Sequence, residues 1–257
     1  QMPFALPAIR AAGQVAGLAT PEVSGSSLAY LFEMADELRR RAGPQAVVRL
    51  VDVQAPVDVA ALIWEKTDFL AALVAAPEAV QELCAKVETL LTGFLDQWFG
   101  RYGGGFVAHY PDYYMDGGMT VSVDEAGAVS PAMFAAFFSP QLRRLSQRYG
   151  GIGIHCCANA RHQWPHFARV PGLRLINLHQ PHAVLAEAYA TFGPQVAQLH
   201  YGFEHRGPVE TWPSQHPTGC RLVLDVGAGV AALAAAGLPS NPVGEVQPGA
   251  GLPILVV

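Results

Sequence analysis

The sequence predicts an α/β fold built on parallel strands. Two patterns lead there. Short β-branched runs alternate with helical stretches along the chain, as in repeated βαβ units. The composition is 51% hydrophobic and 14% charged, which supplies a sizeable core and argues against disorder. The length bounds the rest. A chain of 257 residues suits one large domain over 1–257, and an α/β barrel takes about 250 residues. The strand count alone admits a doubly wound sheet as well as a barrel.

The elements follow in order. Residues 26–42, SSLAYLFEMADELRRRA, place Leu28, Leu31, Phe32, Ala35 and Leu38 at helical spacing, and Gly43-Pro44 stops the helix. This helical segment within 1–44 precedes the alternating part. AVVRLVD (46–52) reads as a strand, and 57–65 and 67–76 as helices. Pro77 followed by Glu78 opens a further helix, whose apolar face is Val80, Leu83, Cys84, Val87, Leu90, Leu91 and Phe94. GGFVAHY (104–110) and MTVSVDE (119–125) read as strands, with HYPDYYMDGG (109–118) as a rim loop between them. Ser130-Pro131 caps a helix to about residue 149. GIGIHC is a strand, 161–169 a short helix, LRLINLH (173–179) a strand and 182–192 a helix. QVAQLHYG and CRLVLDVG read as strands, and 228–236 as a last helix before a Pro- and Gly-rich tail. VGAGVAALAAAG (226–237) matches a dinucleotide-binding loop only loosely, because its third glycine is absent.

Composition excludes several function classes. The formal net charge is −5 and no Lys/Arg run longer than the three arginines at 39–41 occurs, so there is no electrostatic footprint for nucleic acid. Four cysteines in a chain of this length do not make a disulfide scaffold. No stretch reaches the ~18 apolar residues of a membrane span. The nearest, 222–238, contains Asp225. QMPFALPAIRAAGQ lacks the basic start of a signal peptide, so a cytoplasmic location is expected.

The chemistry gathers in GIGIHCCANARHQW (151–164). Successive side chains on a strand point to opposite faces. His155 and Cys157 therefore share a face, and Cys156 turns away. Zinc takes nitrogen and thiolate ligands, and a catalytic site keeps a position open. Cys220 supplies a further soft donor, so His155, Cys157 and Cys220 form one candidate zinc set. The other reading makes the cysteines ordinary small core residues. His179 ends the next strand, as a further ligand, a substrate contact or a rim histidine. Asp124 ends an earlier strand, where a carboxylate can act as acid or base or orient a metal-bound histidine. His109, Tyr113 and Tyr114 in the rim loop can stack on and hydrogen-bond a flat substrate.

These residues resemble the uroporphyrinogen decarboxylase superfamily. The motifs are D…SP..F..F..P, H.C.N and PGL..IN between Asp124 and Asn177, with GP.D.A-like and PE.V..L segments upstream. The resemblance covers about residues 45–185. It implies a (β/α)8 barrel of the uroporphyrinogen decarboxylase type and two kinds of activity. One is decarboxylation of tetrapyrrole acetate arms, with Asp124 stabilising a protonated ring. The other is zinc-dependent methyl transfer between a corrinoid protein and a thiol, with zinc on His155, Cys157 and Cys220. A non-catalytic relative that binds a corrinoid or tetrapyrrole is a third possibility. The related cobalamin-independent methionine synthases carry a glutamate about a strand after His-x-Cys, near His179 or Gln180 here. The decarboxylase's Arg-Gln-Ala-Gly-Arg motif has only a partial echo in IRAAGQ (9–14). The front of the barrel is therefore expected to be missing or rebuilt.

Overall fold

A computed structural model describes residues 6–43, 48, 50–104, 106–109, 113–193, 195–198 and 221–222. Its centre is a parallel sheet of β3 (Met119–Ser122), β4 (Ile152–Cys156), β5 (Leu173–Leu178), β6 (Ala197–Gln198) and β7 (Arg221–Leu222). The strands lie side by side in chain order and every pair is parallel. A doubly wound sheet reverses its strand order at a switch point. Here there is no reversal, which is the progression of a (β/α)8 barrel. The segment before β3 extends the series by one. Ser122 N–H donates to Val53 O and Ala55 N–H to Ser122 O, both at 2.8 Å, as a parallel bridge.

The helices start where the sequence signals them. Pro56 opens α2 (Pro56–Ile63), and Glu65 caps α3 (Lys66–Ala75) by accepting from the N–H groups of Thr67 and Asp68. Pro77 opens α4 (Pro77–Tyr102), on which Val80, Leu83, Cys84, Val87 and Phe94 are buried as their spacing predicts. Against it lies α1 (Ala29–Ala42), whose Phe32 meets Phe94 edge-on, with ring centroids 5.3 Å apart. The Lys86 ammonium on α4 donates to the carbonyls of Val15 (2.7 Å), Ala16 (3.2 Å) and Leu18 (2.9 Å). One cation thereby fastens the N-terminal stretch to the body.

The helix after β3 begins as expected, with Ser130 Oγ accepting from Met133 N–H. It runs through α5 (Pro131–Met133), a π-helical turn (Phe134–Phe138) and α6 (Ser139–Tyr149). Pro140 explains the turn: it offers no N–H to the ladder, and the wider turn absorbs the break. The turn also aims Phe134, Phe137 and Phe138 inward. Phe134 stacks on Phe138 at 4.9 Å and meets Phe167 edge-on at 5.3 Å. Phe167 belongs to α7 (Trp164–Phe167), and α8 (His182–Phe192) follows β5 with the expected bounds.

Several expectations need correction. The stretch 109–118 is not wholly a loop. Tyr113–Asp116 forms β2, which pairs antiparallel with β1 (Phe106–His109) from Phe106↔Asp116 to His109↔Tyr113. The aromatic β-formers outweigh the turn residues beside them. The strand expected over 119–125 ends at Ser122 and yields to a 3-10 turn at Glu125–Ala128. The strand expected over 46–52 pairs later, at 53–55, and residues 44–47 and 49 lie outside the described residues. The helix expected at 228–236 lies outside them too.

Gly117 and Gly118, at φ +72° and +85°, turn the chain from the hairpin into β3. The hairpin then reaches the start of the sheet. A Cβ on Gly153 would stand 2.7 Å from Met115 Sδ and 2.9 Å from Thr120 Cγ2. Glycine at 153 is what admits the buried Met115 thioether between the strands.

Two stability outcomes follow from this packing. Phe134→Ala should cost about 3–5 kcal/mol in urea unfolding, as for a buried aromatic removed from a filled core. Gly153→Ala should cost about 1–3 kcal/mol by overpacking. The same change should cost less in a Met115→Ala background, and equal costs in both would refute the contact.

Candidate metal centre

Strand register builds this site. Ser122 pairs with His155 and His155 with Asn177, so three polar residues stand in one row across β3, β4 and β5. Two residues further, past the strand ends, come Asp124, Cys157 and His179. The ladder continues into that level: Val123 N–H donates to His155 O at 2.8 Å and His179 N–H to Cys156 O at 3.1 Å.

Asp124, His155 and Cys157 each offer a donor atom, and these atoms lie within 4.8 Å of one another. Asp124 and His155 are half-buried and Cys157 is exposed. Cys156 is fully buried, so alternation divides the vicinal pair as the sequence predicts. Asp124 Oδ1 accepts from Cys157 N–H at 2.7 Å. Beneath them the buried Asn177 Oδ1 faces His155 Nδ1. An amide oxygen only accepts, so the ring proton sits on Nδ1 and the lone pair is left on Nε2.

The donor set suits zinc in kind: one imidazole, one thiol and one carboxylate at strand ends, with room for a further ligand. Ligands about 2.0–2.3 Å from a tetrahedral ion lie roughly 3.3–3.8 Å apart. Separations within 4.8 Å reach that range by small side-chain rotations. The Cys157 thiol is pushed up to about 12, first by desolvation and then by the hydrogen bond and charge of Asp124. Such a thiol stays protonated at neutral pH unless a cation lies beside it.

Two flanking groups escape a reading of the sequence. Asp58, in the first turn of α2, is only 2% exposed. Its Oδ1 accepts from Asp124 N–H at 2.6 Å and Glu125 N–H at 2.8 Å. Burial drives its carboxyl well above the usual carboxylate range, against the pull of those two hydrogen bonds. Asn177 is the other. Its signal was present in the PGL..IN motif, as that of Asp58 was in the GP.D.A-like segment, but neither motif tells what the side chain meets. Nearby, Lys66 Nζ on α3 pairs with Glu125.

The remaining candidates fall as follows. His179 follows β5, half-buried, outside the group that meets within 4.8 Å. His109 pairs with Tyr113 in the hairpin register, and Tyr114 with Ala108. Cys220 lies outside the described residues, one position before β7. Among the described residues no helix is long and apolar enough to cross a membrane.

Comparisons with known proteins agree with this architecture. Residues 1–197 match the family model of uroporphyrinogen decarboxylase (URO-D). A solved methyltransferase from Methanosarcina mazei superposes with a TM-score of 0.57 at 13% identity. The match covers 78% of this chain and 55% of that one, so this chain spans little more than half of that relative. At such identity the likeness speaks for the fold. No curated protein sequence matches significantly. With the family model spanning 197 of 257 residues, the chain belongs to the uroporphyrinogen decarboxylase family.

Proposed function

We propose that this chain is a zinc-dependent methyltransferase that passes a methyl group to a thiol, with a corrinoid protein as the methyl-carrying partner. One observation carries the reading: Asp124, His155 and Cys157 converge at the strand ends, within 4.8 Å of one another. The superposition on a methyltransferase supports it at the level of fold. His155, Cys157 and Asp124 would hold the ion, with Cys220 as a further candidate ligand. When bound, zinc would lower the pKa of an acceptor thiol so that its proton passes to solvent at neutral pH; the thiolate sulfur then bonds to the methyl carbon as the methyl–cobalt bond breaks and its electron pair stays on the corrinoid cobalt.

The chain's own residues set the geometry of that step. Asn177 fixes the His155 tautomer and ring orientation. Asp124 ties the β3 end to the β4 end through Cys157 N–H. The exposure of Cys157 leaves the centre open to a thiol and to a docked methyl donor. His109, Tyr113, Tyr114 and His179 remain candidates for substrate contact.

The family description favours a second reading, a decarboxylase of a tetrapyrrole-like substrate, with the half-buried Asp124 steadying a protonated ring. The readings separate by substitution. Under the first, Cys157→Ser and His155→Ala abolish stoichiometric zinc, measured by elemental analysis after expression with zinc. If wild type and Cys157→Ser are both zinc-free, the first reading fails. Under the second, Asp124→Asn abolishes turnover of uroporphyrinogen, while Cys157→Ser spares it.

Proton linkage gives a further outcome for the first reading. Binding through Cys157 displaces a proton from a thiol held near 12. Zinc affinity should therefore fall about tenfold for each unit drop in pH between 8 and 6.5. Competition with a chelator across that range measures the slope, and a flat profile would exclude Cys157 as a ligand.

A further inference from the structure

We propose that Asp58 is a positioning residue that sets the carboxylate arm of the metal centre; this rests on the metal reading given above. Asp58 lies 66 residues before Asp124 in sequence, on a different element, and its side chain reaches the Asp124 backbone. Its influence runs through backbone. Oδ1 takes the N–H groups of two consecutive residues, Asp124 at 2.6 Å and Glu125 at 2.8 Å. Both groups are thereby withdrawn from any strand ladder, and the chain turns into the 3-10 segment Glu125–Ala128. That turn leaves Asp124 where its Oδ1 accepts from Cys157 N–H.

The result is a chain of contacts across three elements. It runs from the Asp58 carboxyl to the backbone at 124–125, from there to the Asp124 side chain, and on to the backbone of Cys157. Each link fixes the next. The first turn of α2, the end of β3 and the end of β4 become one unit, which carries two of the three donors.

A purely structural account of Asp58 fits poorly. The residue is 2% exposed, and its Oδ2 has no hydrogen-bond partner among the described residues. A buried carboxyl with one oxygen unmatched is costly, and an apolar side chain would suit the interior better. The apolar neighbours Val57, Ala60 and Ala61 show what this helix otherwise buries. What Asp58 alone provides is an acceptor at the point where the site loop leaves β3.

The test uses the whole chain, Co2+ as a spectroscopic probe for the zinc position, and amide exchange followed by NMR. Asp58→Ala should weaken Co2+ binding about tenfold or more, the range expected for loss of an outer-shell partner. It should also speed exchange of the Asp124, Glu125 and Cys157 amides, while β4 and β5 stay protected. Asp58→Asn keeps an oxygen acceptor at Oδ1, and should restore affinity and protection to within about threefold of wild type. Unchanged Co2+ affinity in Asp58→Ala overturns the proposal. So does a loss in a folded Asp58→Asn as large as expected for alanine, and this second variant decides the matter if the alanine protein does not fold. A wild type that binds no Co2+, with exchange still released at 124, 125 and 157 in Asp58→Ala, would sink the metal reading and leave the Asp58 contacts to the 124–125 backbone standing.

Discussion

The register of three parallel strands is the constraint on which the remainder depends. Met119 pairs with Ile152 and Ser122 with His155, and His155 pairs in turn with Asn177. Side chains on a strand alternate with period two, so a slip of one residue would exchange the faces of every side chain. Cys156 would then stand at the site and Cys157 in the core, while Ile154 would replace His155. The apolar residues that forbid this slip are Met119, Val121, Ile152, Ile154 and Ile176, each fully buried. Core packing on one face thus holds the chemical groups in place on the other.

Polar atoms near the site carry a cost that the apolar core does not. Asn177, Gln180 and Gln163 are all at least nine-tenths buried. Each has work at the loops that follow the strands. Asn177 meets His155, Gln180 Nε2 donates to Ala158 O at 2.7 Å, and Gln163 Nε2 donates to Val129 O at 2.7 Å. The first joins β5 to β4, and the other two link the loops after β3, β4 and β5 to one another. A loop held by buried amides loses less freedom when it orders around a ligand, which is how rigid elements confer preorganisation.

What the sequence discloses divides along the range of the interactions involved. Helix starts were legible because their signals are local: Pro56, Pro77 and the Ser130-Pro131 pair each act within one turn. The split of Cys156 from Cys157 was legible because strand alternation needs only neighbours. The hairpin strand Tyr113–Asp116 was not, since Pro and Asp beside it speak for a loop and its pairing with β1 is tertiary. Asp124 was legible as a strand-end carboxylate, but its closeness to His155 and Cys157 depends on the β3–β4 register. Asp58 was the least legible. It stands in the GP.D.A-like segment, but an acid in a first helical turn reads as a dipole partner, and only the folded chain brings Asp124 and Glu125 to it.

The two ends of the sheet have been given opposite characters, and the sequence carries that division within each strand. At the entry end, Gly153 makes room for Met115 against Thr120 and Leu175, so the space is filled by a thioether. At the exit end the same face presents Ser122, His155 and Asn177, and then Asp124 and Cys157. Residues at the carboxyl ends of parallel strands can vary without disturbing the packed base, and for that reason barrel enzymes place their chemistry there. Glycine at 153 and histidine at 155 are two residues apart on one strand, yet they answer to different demands. The first is fixed by the volume of a neighbour, the second by the groups it must meet. A substitution at 153 should therefore be read as stability, and one at 155 as ligand binding, even though both positions lie on the same face of β4.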